Sequence, residues 1–377
     1  MISLDPTLRY KIAFALLDNV RGMGIAHLHE LLKCYDTPEA LFCESPAKVA
    51  RLKGIGPALA ECLATGEPLR RADREMDFME RTGIRAFFIT DDDYPRRLRE
   101  CPDAPLLFYY RGQAPLDATH VVSVVGTRRA TDYGRQMCYS FVEDLARLLP
   151  SVMIVSGLAY GIDGHANRAA VQASLPTVAV LGHGLQMIYP PAHRSLAVDI
   201  LHSGGGVLSE FISGIRPDRY TFLRRNRIIA GLSDAVVVVE SGLRGGSMNT
   251  AALTLSYDRE LFAFPGRASD VASSGCNRLI RTSRAGLITS ADDFLHAMGW
   301  MDPDSASSPS SAAPDLSTLP EAERMILSLL LQHSDGLDPN ALARLSGHAV
   351  SDLLPLLVQL EFDGRIRCLP GNIYKCN

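Results

Sequence analysis

The sequence predicts an α/β protein built on a mostly parallel β-sheet, with a helical segment before the sheet and a small helical module after it. Three observations carry that prediction. Between about residues 121 and 300, short apolar runs alternate with helix-length stretches; the runs cover residues 121–125, 152–155, 177–181, 206–209, 235–239 and 261–264. Strands that are apolar along their whole length are covered on both faces, as in a parallel sheet between helical layers. Residues 1 to about 85 read instead as short helices broken by glycine pairs. From residue 320 onward, three helical patterns precede two short extended runs.

The totals bound the rest. A chain of 377 residues is expected to form two or three domains, and 47% hydrophobic with 21% charged residues marks a globular protein with ample core. No uncharged apolar run reaches the roughly eighteen residues of a membrane span, and the N-terminus has no basic-then-apolar leader pattern. A cytoplasmic protein with no membrane partner is expected. The cysteines (Cys34, Cys43, Cys62, Cys101, Cys138, Cys276, Cys368 and Cys376) contain no Cys-x-x-Cys pair, so free thiols and no metal site are expected. A net charge of −4 excludes coating of polyanions by bulk attraction. Any nucleic-acid binding must come from a local patch, and arginine would supply it, because lysine occurs only at Lys11, Lys33, Lys48, Lys53 and Lys375.

In order along the chain, the first segment (residues 1–85) has two similar pieces, Val20-Arg21-Gly22-Met23-Gly24-Ile25 and Leu52-Lys53-Gly54-Ile55-Gly56-Pro57. Each has the form of a helix-hairpin-helix turn, in which glycines bring amide N–H groups to a helix start where a phosphate can sit. Few cations flank them, which favours a purely structural helical pair. An extended piece follows near residues 85–90. In the middle segment (residues 86–300), right-handed crossovers put every strand-to-helix loop at one edge of the sheet. Residues 301–318, rich in Ser, Ala, Pro and Asp, read as a linker. In the last segment (residues 319–377), helices over 320–331, 340–345 and 350–362 and a hairpin over 365–370 and 372–375 make a winged helix. Its candidate recognition helix holds Asp352 and Glu361 and no Lys or Arg, which suits protein contact better than phosphate contact.

The loops at the sheet edge are rich in glycine. They are Gly126-Thr127-Arg128-Arg129, the stretch from Ser156-Gly157 through Gly161-Ile162-Asp163, Gly182-His183-Gly184, and Glu240-Ser241-Gly242-Leu243-Arg244-Gly245-Gly246-Ser247. Small residues at helix starts expose N–H groups, and the helix dipole favours an anion there. Neither Gly-x-Gly-x-x-Gly nor Gly-x-x-x-x-Gly-Lys-Ser/Thr follows a strand, so no dinucleotide, ATP or other cofactor is expected. The densest cation cluster holds Arg216, Arg219, Arg224, Arg225 and Arg227 with Tyr220, Phe222 and Asn226. Arginine matches phosphate bidentately and an exposed ring stacks on a base. The competing reading is a solvated helix start with internal salt bridges, in which Arg225 pairs with Glu210 or Asp234.

These segments together resemble the DprA/Smf family of bacterial DNA-processing proteins. The resemblance runs from about residue 94 to residue 300. It rests on Tyr94-Pro95 with Leu98, Val124-Val125-Gly126-Thr127-Arg128, Tyr133-Gly134, and Ser156-Gly157-Leu158-Ala159-Tyr160-Gly161-Ile162-Asp163-Gly164-His165. It continues through Ile188-Tyr189-Pro190, Ser209-Glu210-Phe211, Arg225-Asn226-Arg227-Ile228-Ile229-Ala230-Gly231, and Phe264-Pro265-Gly266 with Gly275-Cys276-Asn277. It implies an extended Rossmann-like domain, flanked by a helix-hairpin-helix (SAM-like) domain and a winged helix. It also implies a non-catalytic homodimer that binds single-stranded DNA and loads RecA recombinase. The expected DNA-binding residues are Gly126, Thr127, Arg128, Ser156, Gly157, Gly161, Arg219, Phe222, Arg224, Arg225, Asn226, Arg227, Gly245, Gly246 and Ser247. Two stretches depart from the family pattern: Phe222-Leu223 where Phe-Pro is usual, and Gly245-Gly246-Ser247-Met248-Asn249-Thr250-Ala251 where Ser-Gly-Ser-Leu-Ile-Thr-Ala is usual.

Two rivals follow from the same residues. A nucleotide-cleaving hydrolase would draw its acid or base from Asp163, His165, Glu210 or Glu240, although the chain lacks the Pro-Gly-Gly-x-Gly-Thr loop of such enzymes. A transcription factor would act through the winged helix, against its acidic balance.

Overall fold

The computed structural model describes residues 5–52, 56–300, 320–333, 336–362, 365–369 and 373–376. The chain divides into two compact units, Met1–Trp300 and Met301–Asn377.

The first unit opens with six helices: α1 (Pro6–Ala15), α2 (Ile25–Cys34), α3 (Pro38–Phe42), α4 (Pro46–Val49), α5 (Gly56–Thr65) and α6 (Glu67–Thr82). α1 starts where it does because the Asp5 carboxylate accepts the Thr7 N–H at 2.9 Å and Pro6 needs no N–H partner. In the first glycine-pair turn, Gly22 takes φ +83, a left-handed conformation that glycine adopts without strain, and Gly24 caps α2. Of the second turn, Lys53, Gly54 and Ile55 lie outside the described residues. The helices do not form a core of their own: Ile12, Phe14, Leu28, Leu59 and Met79 pack with Phe88, Leu107 and Tyr109 of the sheet.

That sheet has nine strands: β1 (Arg85–Phe88), β2 (Leu107–Gly112), β3 (Val121–Val125), β4 (Met153–Ser156), β5 (Thr177–Val180), β6 (Gly206–Ser209), β7 (Ala235–Val238), β8 (Glu260–Ala263) and β9 (Gly286–Leu287). Their order is β1-β2-β6-β5-β4-β3-β7-β8-β9. β3 to β9 are parallel to one another, and β1 and β2 add an antiparallel edge through the β2–β6 pair. β3 to β7 are buried along their whole length, as their continuous apolar runs require. The helices on the two faces are α7 (Arg96–Arg99), α8 (Asp132–Leu148), α9 (Ile162–Gln172), α10 (Arg194–His202), α11 (Arg219–Leu232), α12 (Gly246–Ser256), α13 (Ser274–Arg281) and α14 (Ala291–Met298). From β3 the chain winds outward through β4, β5 and β6, then returns to β3's other side for β7, β8 and β9. The ends of β3, β4 and β7 thus flank a topological switch point, the crevice where ligands bind in sheets of this type.

The second unit holds α15 (Glu321–Gln332), α16 (Pro339–Ser346) and α17 (Val350–Phe362), followed by the antiparallel pair β10 (Ile366–Leu369) and β11 (Ile373–Cys376). Its core contains Ile326, Leu330, Leu342, Leu353, Leu357 and Ile366. This is the winged helix that the sequence predicts. The expected linker over 301–318 lies outside the described residues. Among the described residues, no single helix is long and apolar enough to cross a membrane.

Candidate functional site

A cleft of about 860 Å³ opens at the switch point. Its wall is made by the loop after β3 (Gly126 to Arg129), Tyr189, the first turns of α11, and Arg244 to Ser247 leading into α12. The loops lie close because they bond to one another. Thr127 donates its N–H to the Glu240 carbonyl at 2.7 Å, and Ile162 donates to the Thr127 carbonyl at 3.1 Å. A β-carbon at Gly126 would strike Ile162 and the Glu240 carbonyl, and one at Gly161 (φ +75) would strike the Thr127 carbonyl. These glycines are needed for close approach.

Beneath the cleft lies a buried ion pair. The Arg225 guanidinium stands 4.0 Å from the Asp163 carboxylate, with 4% and 11% of the two side chains exposed. Arg225 also donates to the Val180 carbonyl at the end of β5, and Asp163 accepts the backbone N–H groups of Gly126 and Ala159. One pair therefore ties together the ends of β3, β4 and β5 and helix α11. Burial pushes the Asp163 carboxyl above the usual carboxylate range, against the pull of Arg225 and Arg128. Burial likewise lowers Arg225 to about 10 despite Asp163. Gly157 has no side chain because a β-carbon there would enter the Arg225–Asp163 contact.

Four cations remain for a ligand. Arg128, Arg129, Arg219 and Arg244 all line the cleft and are exposed. Among the described residues, none has an acid within ion-pair distance. The Arg128 guanidinium sits 4.9 Å above the Phe222 ring, whose other neighbour is Tyr189 at 5.9 Å. α11 is capped by Asp218, which accepts the Thr221 N–H at 2.7 Å. The first turn of α12, capped only by the backbone of Gly245, offers its N–H groups to the cleft. Tyr189 is held from behind by His183, whose Nε2 accepts the Tyr189 N–H while Nδ1 faces the Gly184 carbonyl. Accepting at Nε2 requires a neutral imidazole, whose proton then sits on Nδ1 facing the Gly184 carbonyl, and burial pushes this histidine below its ordinary value.

Of the expected residues, Gly126, Thr127, Arg128, Arg219, Phe222, Arg225, Asn226, Gly245, Gly246 and Ser247 line the cleft. Ser156, Gly157 and Gly161 form supporting structure instead; Ser156 is buried with its hydroxyl on the Val124 carbonyl at 2.6 Å. Arg224 and Arg227 turn away. Arg224 meets Asp18 at 2.7 Å and Glu210 at 3.2 Å, and Arg227 meets Glu210 and the Asp103 carbonyl. Burial works against the Arg224 charge, but Glu210 and Asp18 outweigh it and raise its pKa. The expected alternative partners of Arg225 are corrected here: Glu210 holds Arg224 and Arg227, Asp234 holds Arg97, and Asp163 is the acid that reaches Arg225. Arg129, Arg244 and Tyr189 were not among the expected residues. Arg129 and Arg244 were marked only by being cations inside glycine-rich loops, and Tyr189 only by lying in the Ile188-Tyr189-Pro190 stretch of the family resemblance.

The four carboxylate and imidazole candidates for catalysis are divided by the structure. Glu240 accepts the N–H and hydroxyl of Thr131 at 2.9 and 2.6 Å, Glu210 is in the arginine network, and Asp163 is paired. His165 sits on α9, half-buried against Tyr139.

A doubly wound sheet with a basic, aromatic cleft at its switch point, joined to a winged helix, defines a class, and comparison with known proteins agrees with it. The family model described as DNA recombination-mediator protein A matches residues 85–299, and the DprA winged helix domain matches residues 310–372. The chain belongs to the DprA/Smf family. It is 35% identical over 382 residues to the putative DNA processing protein DprA of Mycobacterium tuberculosis, covering 98% of this chain and 94% of that one. Protein Smf of Escherichia coli is 35% identical, with 81% and 84% covered. Among solved structures, DprA from Streptococcus pneumoniae matches with a TM-score of 0.64 at 32% identity, covering 76% of this chain and 97% of that one. DNA processing protein A from Helicobacter pylori, whose structure was described for its single-stranded DNA binding mode, matches with a TM-score of 0.52 at 29% identity, covering 58% and 96%.

Proposed function

We propose that this chain holds single-stranded DNA by its phosphates in the switch-point cleft and passes it, as a cytoplasmic homodimer, to a RecA recombinase without catalysing a reaction. The observation that carries the DNA reading is the set of four acid-free arginines on one cleft, beside the Phe222 and Tyr189 rings. Cations without acid partners attract a polyanion even in a chain of net charge −4. Rings stack on bases that are already unstacked, which favours a single strand over a duplex. In this reading residues 86–300 carry the DNA, residues 1–85 buttress the sheet edge, and residues 319–377 serve protein contact. Glu210, Glu240 and Asp163 are engaged by arginines or by a helix cap, which supports binding over hydrolysis. RecA loading and dimerisation rest on family membership.

Titration of labelled single-stranded and duplex oligonucleotides at several salt concentrations tests the proposal. Log affinity for the single strand should fall with log salt by about 0.7 for each phosphate held. A flat salt dependence, or a preference for duplex, would remove the cleft as the binding site. Light scattering on purified protein should give twice the monomer mass, and a concentration-independent monomer would end the dimer reading.

A further inference from the structure

A second group of aromatic and cationic side chains adjoins the cleft on the far side of the β4–α9 loop. Gly161 abuts the backbone of Thr127 and Arg128, which brings the chain at its neighbour Tyr160 close to the loop that carries Arg128 and Arg129. Tyr160 is 48% exposed, and its ring is held edge-on by His193 with the centroids 5.4 Å apart. His193 is itself buried and bonded to the Leu158 carbonyl at 2.9 Å, and it packs where Gly164 has no side chain. The protein thus supports an exposed aromatic ring from behind. Beyond it, the packed helices α8 and α9 carry Arg135, Tyr139, His165 and Arg168, with the Tyr139 and His165 rings 5.8 Å apart. Burial and then the charges of Arg168, Arg135 and His193 push the His165 pKa down, which marks a positive local field. Among the described residues, neither Arg129 nor Arg168 has an acid within ion-pair distance, and Arg135 meets only Asp132, itself 92% exposed.

We propose that Tyr160, Arg129 and Arg168 form a second single-strand subsite, over which DNA leaving the switch-point cleft runs onto the α8–α9 ridge. The inference rests on the proposed function of the cleft and extends its footprint. Tyr160 supplies a stacking face for one base, and the arginines pair with flanking phosphates.

Binding of labelled oligothymidylates of about 4 and about 16 nucleotides, the range of site sizes known for single-strand binders, tests it on the full chain. Tyr160→Ala should weaken the long oligonucleotide by about 5- to 150-fold and leave the short one within about twofold. Tyr160→Phe, which keeps the ring, should retain wild-type affinity for both. Arg168→Ala should lower the salt slope by about 0.7 for the long strand only. An equal loss at both lengths for Tyr160→Ala would assign the ring to the cleft and overturn the subsite. Wild-type affinity at both lengths for Tyr160→Ala and Arg168→Ala would overturn it too. Arg128→Ala separates the two readings: it should weaken both lengths, and if it weakens neither, the cleft itself is not the DNA site and the subsite falls with it.

Discussion

Replacing Asp163 by alanine would leave the Arg225 guanidinium buried, with the Val180 carbonyl as its remaining partner. Removing one member of a buried ion pair costs about 3–5 kcal/mol. Here the lower end applies, because the pair is 4.0 Å apart and the raised Asp163 pKa means that desolvation already outweighs the attraction. The Gly126 and Ala159 N–H groups lose an acceptor as well, so a loss of about 3 kcal/mol is expected. Unfolding entropy of about 2.1 cal/mol/K per residue over the first unit (Met1–Trp300) gives about 0.6 kcal/mol/K, so the melting temperature should fall by about 5 °C. Differential scanning calorimetry of the full chain measures this. Asp163→Leu combined with Arg225→Met should recover most of the loss, because a buried pair replaced by apolar groups of similar volume is often nearly neutral. Since Asp163 already neutralises Arg225, Arg225→Ala should destabilise the fold while leaving the DNA salt slope of the folded protein unchanged. Two results would refute this reasoning: an Asp163→Ala protein melting within about 1 °C of wild type, or an Arg225→Ala protein whose salt slope drops by the roughly 0.7 of a lost phosphate contact.

Arg128→Ala should lower the single-strand salt slope by about 0.7, whereas Phe222→Ala should cost about 1–3 kcal/mol of affinity with the slope nearly unchanged; equal slopes in both variants would deny the division between phosphate and base contacts. His183 is held neutral in the fold, so its contribution to stability is full above its ordinary value of 6.5 and is lost as pH falls from there towards its lower folded value. Urea unfolding between pH 7.5 and 5 should show this, with up to about 1.4 kcal/mol per pH unit from this side chain. His183→Gln should flatten that part of the curve, and an unchanged slope would assign the effect to another group. Ending the chain at Trp300 should leave single-strand affinity within a few-fold, and a loss of about a hundredfold or more would make the winged helix a DNA reader.

The six apolar runs of the middle segment became β3 to β8, because burial on both faces leaves a continuous signal in the chain. β2 was not among the expected strands although Leu107, Phe108, Tyr109 and Tyr110 form the same kind of buried apolar run. What the run does not reveal is its place: β2 lies between β1 and β6, antiparallel to both, and β6 is about a hundred residues onward. The same reason limits the site. Glycine-rich loops and a run of arginines are local features, and they located the cleft. Which arginine is free depends on acids supplied from elsewhere: Asp18 reaches Arg224 across 206 positions, and Asp163 takes Arg225. The pattern of charge marked the neighbourhood, and the pairing inside it was decided by topology.

Helix α11 also constrains how this protein can change. Successive residues on a helix are turned by about 100°, so Arg224 and Arg227 lie within about 60° of each other while Arg225 points elsewhere. Deleting one residue between Arg219 and Arg224 would preserve every charge yet rotate each guanidinium away from its acid. It would leave Glu210 and Asp163 buried and unmatched. Insertions and deletions in this helix should therefore be far more damaging than point substitutions that keep its angular phase. Lysine at position 225 would hold that phase and the charge, but it would lack the planar fork that spans Asp163 and the Val180 carbonyl. What is inherited along this helix is a set of directions.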